Sequence, residues 1–178
     1  MPEEADERLV KLYLESRGFL VLTNYRVKVE KNRVLESDIV AIRFAKKTED
    51  QLPDRIIGEV RVFKIGAKHF EVLYHKLELK SRREYERFKI INNPSFKKSF
   101  LMDVESRYGK GFEFCIFSQG ISSKRRKLVE DHLKKEGIIF ISFEKVVKGI
   151  IEYARSKTYS NDPELQLIRL MIKLDMLK

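Results

Sequence analysis

One stretch, Arg-Ile-Ile-Gly-Glu-Val-Arg-Val-Phe at positions 55–63, most constrains how this chain can fold. Its branched and aromatic side chains predict a buried strand. Because side chains alternate between the two faces of a strand, Glu59 and Arg61 point the same way, together with Ile57 and Phe63. A charged group inside an apolar strand costs several kcal/mol unless it is paired or bound to a metal ion. We therefore expect a partner or a metal at Glu59.

The net charge of the chain narrows the choice of partner. Its 178 residues include 37 Lys and Arg against 27 Asp and Glu, which leaves a formal charge of +10. An excess of this size favours a polyanionic partner, and nucleic acid before a membrane surface. A solvated, charge-rich surface of a heat-adapted protein would give the same composition.

Cysteine content and apolar run length indicate the compartment. The single cysteine, Cys115, lies in an apolar run, which predicts a reducing, cytoplasmic environment and argues against a disulfide or zinc framework. No run approaches the ~18 apolar residues that a membrane span needs. The acidic N-terminus, Met-Pro-Glu-Glu-Ala-Asp-Glu, does not resemble a signal peptide.

The first third of the chain predicts a small sheet. We expect a helix over 3–17 and strands over 19–29 (with a break at Thr23-Asn24), 34–44 and 55–63. Short polar turns join these segments, so the pattern favours an antiparallel meander with a helix on one face.

The remainder predicts alternating helices and strands. Helices are expected over 67–92 and 95–108, separated by Asn92-Asn93-Pro94, and then over 123–136 and 144–156; strands are expected over 112–118 and 138–143. Strand, helix, strand implies a parallel crossover. We expect one α/β domain over 1–158, with a mixed central sheet flanked by helices, and a helical appendage over 159–178.

The appendage begins with a strong helix start, Asn161-Asp162-Pro163-Glu164. The helix that follows carries one apolar stripe, formed by Leu167, Leu170, Met171, Leu174 and Leu177. Such a stripe is typical of a helix docked on a core. A homodimer seam is the other interpretation.

Asp38 is a second carboxylate inside an apolar strand. If strands 34–44 and 55–63 are hairpin neighbours, Asp38 and Glu59 lie side by side. Two close carboxylates repel each other unless a divalent cation bridges them or one is protonated. Mg²⁺ takes one or two carboxylates and completes its shell with water and phosphate oxygens, so it suits a phosphodiester reaction.

The order helix, strand, strand with Asp, strand with Glu-x-basic resembles the PD-(D/E)xK nucleases, the restriction-endonuclease-like fold. The motifs are most similar to those of archaeal Holliday-junction resolvases and related small nucleases. There a helix carries Glu twelve residues before the Phe of a Gly-Phe pair, and Gly18-Phe19 places Glu7 at that position. Asp38-Ile39-Val40 resembles the family's Asp-hydrophobic-Val run, and Glu59-Val60-Arg61 resembles its Glu-Val-Lys.

The resemblance implies roles for these residues. Asp38 and Glu59 would bind Mg²⁺ (or Mn²⁺), the Val60 carbonyl would be a further ligand, and Glu7 would assist. The family's Lys, which positions or activates the attacking water, is replaced by Arg61. Arginine stays protonated, so it can hold a phosphate but cannot act as a base.

Each of these residues also has a structural interpretation. Glu59 and Arg61 could pair with each other or with neighbours in a buried ion network. Asp38 could end a turn, and Glu7 could simply complement the dipole of the first helix.

Two basic segments are candidates for phosphate contacts. The candidate residues are Arg82, Arg83, Lys124, Arg125, Arg126 and Lys127. The last four begin a helix, where positive charge is unfavourable for the helix itself. The sequence therefore predicts an Mg²⁺-dependent endonuclease-like protein directed to DNA structure or backbone. The alternatives are an inactive nucleic-acid-binding module on the same fold, or a structural subunit that assembles through its C-terminal helix.

Overall fold

The computed structural model describes residues 5–29, 33–44, 51–61, 63–66, 88–123, 126–156, 161–174 and 176. The helices are α1 (Ala5–Glu15), α2 (Lys89–Asn92), α3 (Pro94–Tyr108), α4 (Arg126–Lys135), α5 (Phe143–Ser156) and α6 (Pro163–Lys173). The strands are β1 (Phe19–Val29), β2 (Arg33–Arg43), β3 (Arg55–Arg61), β4 (Glu113–Ser118) and β5 (Ile138–Ser142).

The strands form one mixed five-stranded sheet in the order β1-β2-β3-β4-β5. β1 with β2 and β2 with β3 are antiparallel, whereas β3 with β4 and β4 with β5 are parallel. Both the meander and the parallel crossover are therefore as predicted, with α4 connecting β4 to β5. The chain is an α/β protein with helices on both faces of its sheet.

The two faces of the sheet carry separate apolar cores. Along β3, Ile57 packs into one core and Ile56 into the other, as the alternation of strand side chains requires. Helices α2, α3 and α4 cover the first core, and α1, α5 and α6 cover the second. No helix in the described part of the chain is both long enough and apolar enough to cross a membrane.

Two helices begin at side-chain caps, of which the one at Asp162 was expected from sequence. The side-chain carbonyl of Asn93 accepts hydrogen bonds from the backbone N–H groups of Ser95 and Phe96 at 3.0 and 3.2 Å. The Asp162 carboxylate accepts one from the Leu165 N–H at 2.9 Å. A proline follows each cap at the first helical position, where its missing N–H costs nothing.

Strand β3 is shorter than the strand predicted over 55–63. β3 ends at Arg61, so Phe63 does not share its face. The Phe63 carbonyl instead accepts a hydrogen bond from the Ser118 hydroxyl at the end of β4, and Ile65 bridges to Ile121. The chain leaves β2 here but stays attached to β4. Most of the helix predicted over 67–92 lies outside the described residues, which include only its end, α2.

The C-terminal helix docks by a different face from the one predicted. Leu165 is buried in the second core, and Ile168 and Ile172 pack against that core. The predicted stripe faces outward instead, with Leu167, Leu170 and Leu174 exposed by 57%, 52% and 61%. The helix ends at Lys173, and Leu177 lies outside the described residues. Docking on the core as such was correctly predicted, and the assignment of the docking face was wrong.

Candidate functional site

The candidate site lies where β2 and β3 separate. Their ladder runs from Ile42 opposite Arg55 to Ile39 opposite Gly58 and then stops. Beyond it, the Val60 N–H donates to the Asp38 carboxylate at 2.7 Å, where a continued ladder would have supplied a backbone carbonyl. Asp38 is thereby placed across from the end of β3, as the hairpin prediction required.

Ser37 and Gly58 support the point of separation. The buried Ser37 hydroxyl lies 3.0 Å from the Gly58 carbonyl and 3.1 Å from the Ile39 carbonyl, so it can donate a hydrogen bond to either oxygen. A Cβ at Gly58 would lie 3.1 Å from the Phe117 ring and 3.3 Å from Ile39 Cβ. Glycine therefore allows the close packing beneath the site.

Arg61 is the centre of the site. Its Nη1 donates to the Asp38 carboxylate at 2.6 Å and also to the Val60 carbonyl. Its Nη2 donates to the Glu59 carboxylate at 2.7 Å. The guanidinium carbon lies 5.1 Å from the centre of the Phe88 ring, within cation–π range. The three oxygen groups that the sequence resemblance implies as metal ligands thus converge on one cation.

Burial governs the electrostatics of the site. Side-chain exposure is 4% for Glu59 and 17% for both Asp38 and Arg61. Burial, followed by repulsion from Asp38, raises the pKa of Glu59 well above its ordinary value, although Arg61 acts in the opposite direction. Burial also disfavours the charged form of Arg61, but the attraction of Glu59 and Asp38 prevails and its pKa is raised. Arg61 therefore stays charged, while Glu59 resists ionisation.

Glu7 lies close to the site. It is in the first turn of α1 and only 9% exposed. Its charge helps to raise the pKa values of both Glu59 and Arg61, so Glu7 is close enough to interact electrostatically with both side chains. Within the described ranges, no three His, Cys, Asp or Glu side chains group so as to hold a metal ion.

The donor chemistry of the cluster fits Mg²⁺. Two carboxylates and a main-chain carbonyl are hard oxygen ligands of the kind that this ion takes from proteins. Arg61 already supplies a positive charge to the same three groups, which is the buried ion network that the sequence left open as an alternative. One set of oxygens can serve either cation, so Arg61 would have to move for a metal to bind.

Sequence reasoning missed three supporting residues: Ser37, Phe88 and Asn24. Asn24 lies between the register pairs Thr23–Ile39 and Tyr25–Ser37 and has a left-handed φ of 52°. Asparagine tolerates this conformation better than most side chains, and the predicted break at Thr23-Asn24 was the signal for it. Ser37 and Phe88 had no local signal, because their roles depend on chain segments distant in sequence.

The predicted basic residues are only partly described. Arg126 pairs with Glu130 one turn later, with 2.7 Å between Nε and Oε1, and both side chains are largely exposed. Lys127 is also exposed at the start of α4. Arg82, Arg83, Lys124 and Arg125 lie outside the described residues. The pairing with Glu130 weakens Arg126 as a phosphate ligand.

Comparison of the chain with protein-family models, with curated proteins and with solved structures finds no match.

Proposed function

We propose that this chain is a restriction-endonuclease-like domain that binds nucleic acid, preferentially DNA, and hydrolyses its phosphodiester bonds with Mg²⁺ or Mn²⁺. The observation that supports this most is the convergence of the Asp38 carboxylate, the Glu59 carboxylate and the Val60 carbonyl on one position. The order of α1, three antiparallel strands and a parallel crossover also agrees with the family that the motifs resemble.

Each group at the site has a role in this proposal. Asp38, Glu59 and the Val60 carbonyl would hold the metal, which would polarise the phosphate and activate water when bound. The raised pKa of Glu59 gives it a strong requirement for a cation once it ionises. Arg61 stays charged and presents a planar fork, so it would bind a phosphate oxygen and not remove a proton. Glu7 would add negative charge beside the metal.

A second function has its own supporting observation. The Arg61 guanidinium bonds to all three candidate ligands. Displacing it would break two short ion pairs in a site where both Arg61 and Asp38 are only 17% exposed. If that rearrangement is too costly, the chain is a nucleic-acid-binding module without hydrolysis. Binding without cleavage is the outcome that distinguishes this second proposal from the first.

The experiment combines cleavage with binding. Purified protein is incubated with end-labelled duplex, branched and single-stranded DNA in Mg²⁺, Mn²⁺ or EDTA, and binding of the same DNAs is measured in EDTA. We expect metal-dependent cleavage that Asp38→Asn abolishes. Asp103→Asn is the matched control, because Asp103 is a carboxylate paired with arginine away from the site, 3.0 Å from Arg107.

Three outcomes separate the two functions. Cleavage that neither Asp38→Asn nor Asp103→Asn reduces would point to a contaminant and remove the nuclease proposal. Binding with no cleavage under any metal would select the binding module. Absence of binding to every DNA at low salt would remove both proposals, since phosphate contacts strengthen as salt falls.

A further inference from the structure

A second concave site lies along β5 and α4 and reaches the carboxyl ends of the parallel strands. This cleft has a volume of about 660 Å³. Gln119 and Gly120, which follow β4, and Ser142, which ends β5, form part of its wall. Lys64 enters from the segment that follows β3.

The cleft opens on the same face of the sheet as the Arg61 site. Glu59 is paired in register with Ile116 of β4, and Ile116 is paired with Phe140 of β5, which lines the cleft. Residues paired in register point to one face. Two strand spacings separate Glu59 from Phe140, which is roughly 10 Å. A polynucleotide strand advances about 3.4 Å per stacked nucleotide, so one strand can reach both places.

The charges around the cleft leave two lysines uncompensated. Its acidic residues are both engaged: Glu130 pairs with Arg126 at 2.7 Å and Glu144 pairs with Lys148 at 2.6 Å. Lys64 and Lys134 are exposed and have no ion-pair partner among the residues that the structure describes. The net result is a cationic rim suited to phosphate.

The floor of the cleft is apolar and includes an aromatic ring. Leu133, Ile138 and Phe140 line it, and Phe140 is only partly buried. An aromatic surface beneath a basic rim is the combination with which proteins hold unpaired nucleotides, since the ring stacks on the base and the cations contact the backbone. Bases within a duplex are already stacked and cannot reach such a floor.

We propose that this cleft binds an unpaired nucleotide of a single-stranded or branched nucleic acid, with its base against Phe140 and its phosphates on Lys64 and Lys134. The inference rests on the proposed function for its substrate class. It adds that the scissile bond lies beside an unpaired segment and that duplex without such a segment binds more weakly.

Fluorescence anisotropy in EDTA tests binding without cleavage, with labelled single-stranded dT12 and a blunt duplex of equal length as probes. We expect the full chain to bind dT12 more tightly than the duplex. The double variant Lys64→Ala with Lys134→Ala should weaken dT12 binding by about tenfold or more. The negative slope of log K against log salt should become shallower by about 1.4, because each lost phosphate contact accounts for about 0.7. Phe140→Leu, which keeps an apolar floor, should weaken it by about tenfold.

The matched control is Lys135→Ala with Lys173→Ala, two exposed lysines that do not line the cleft. It removes equal charge and should alter dT12 binding by less than the cleft pair. Equal effects of the two lysine pairs, or tighter binding of the duplex, would overturn the inference while leaving the nuclease proposal intact. If no metal-dependent cleavage is observed but dT12 binding still depends on the cleft lysines, the nuclease proposal fails and the inference about the cleft stands. Because the lysines are exposed, their result is interpretable even if Phe140→Leu fails to fold.

Discussion

Replacing Glu59 by glutamine removes a negative charge from the most buried position of the Arg61 site while nearly preserving its shape. The carboxylate is 4% exposed, and burial is the largest cause of its raised pKa. Arg61 retains the Asp38 carboxylate and the Val60 carbonyl in the variant, so its charge is not left without a partner. We therefore expect Glu59→Gln to stabilise the protein at alkaline pH.

The size of the effect follows from the balance at this site. Replacing a whole buried ion pair or triad by neutral groups of similar volume is often stabilising by about 1–4 kcal/mol, and we apply the lower part of this range because Asp38 still compensates Arg61. The lost bond between Glu59 and Arg61 reduces that gain, so we expect about 1–3 kcal/mol at pH 8. At roughly 2–4 °C per kcal/mol for a chain of this size, the melting temperature should rise by about 2–12 °C.

The pH dependence has a definite sign. The folded-state pKa of Glu59 lies above its ordinary value of 4.5, so the folded protein holds the proton more strongly than the unfolded chain does. The contribution of Glu59 to stability therefore decreases as pH rises from about 4.5 to its folded-state pKa, and is level above it. Glutamine does not titrate, so the gain from Glu59→Gln should approach zero near pH 4.

Urea unfolding followed by circular dichroism at pH 4, 6 and 8 measures this difference. Glu144→Gln is the matched control, because Glu144 is exposed and its pKa is lowered by a hydrogen bond and by attraction from Lys148. That control should show no gain at pH 8. Destabilisation by Glu59→Gln at pH 8 would refute the reasoning, since it would mean that the bond to Arg61 outweighs the cost of burying the carboxylate.

Three further predictions concern the same structure. Arg61→Met leaves two carboxylates without their cation and should lower the free energy of unfolding by about 3–5 kcal/mol at pH 8. Added Mg²⁺ should raise the melting temperature of this variant. An unchanged melting temperature in Mg²⁺ would argue against a metal site. Gly58→Ala should cost about 1–3 kcal/mol in urea unfolding, because its Cβ would lie 3.1 Å from the Phe117 ring, and an unchanged midpoint would contradict that packing. Leu170→Glu with Leu174→Glu, at positions exposed by 52% and 61%, should reduce a homodimer to monomer by light scattering, and an unchanged mass would remove the helix seam.

The sequence was sufficient for features that depend on neighbouring residues. The period of two in a strand placed Glu59 and Arg61 on one face, and the structure joins them at 2.7 Å. Asp162 marked a helix start, because a cap side chain bonds to an N–H group only three residues away. The hairpin between β2 and β3 followed from a polar loop between two apolar runs.

Tertiary structure alone decided the features that join distant segments. The sequence predicted that Asp38 lies beside Glu59. It did not predict that the β2–β3 ladder ends at Gly58, which lets Asp38 accept a hydrogen bond from the Val60 N–H. The sequence also did not reveal which face of α6 docks on the core. Leu and Ile are compatible with either side of an amphipathic helix, so the docking partner decides between the two sides. Local patterns thus determined which charges enter the sheet. The packing of strands some twenty residues apart decided that three oxygen groups would share Arg61, since burial and partner choice depend on what the whole chain brings together.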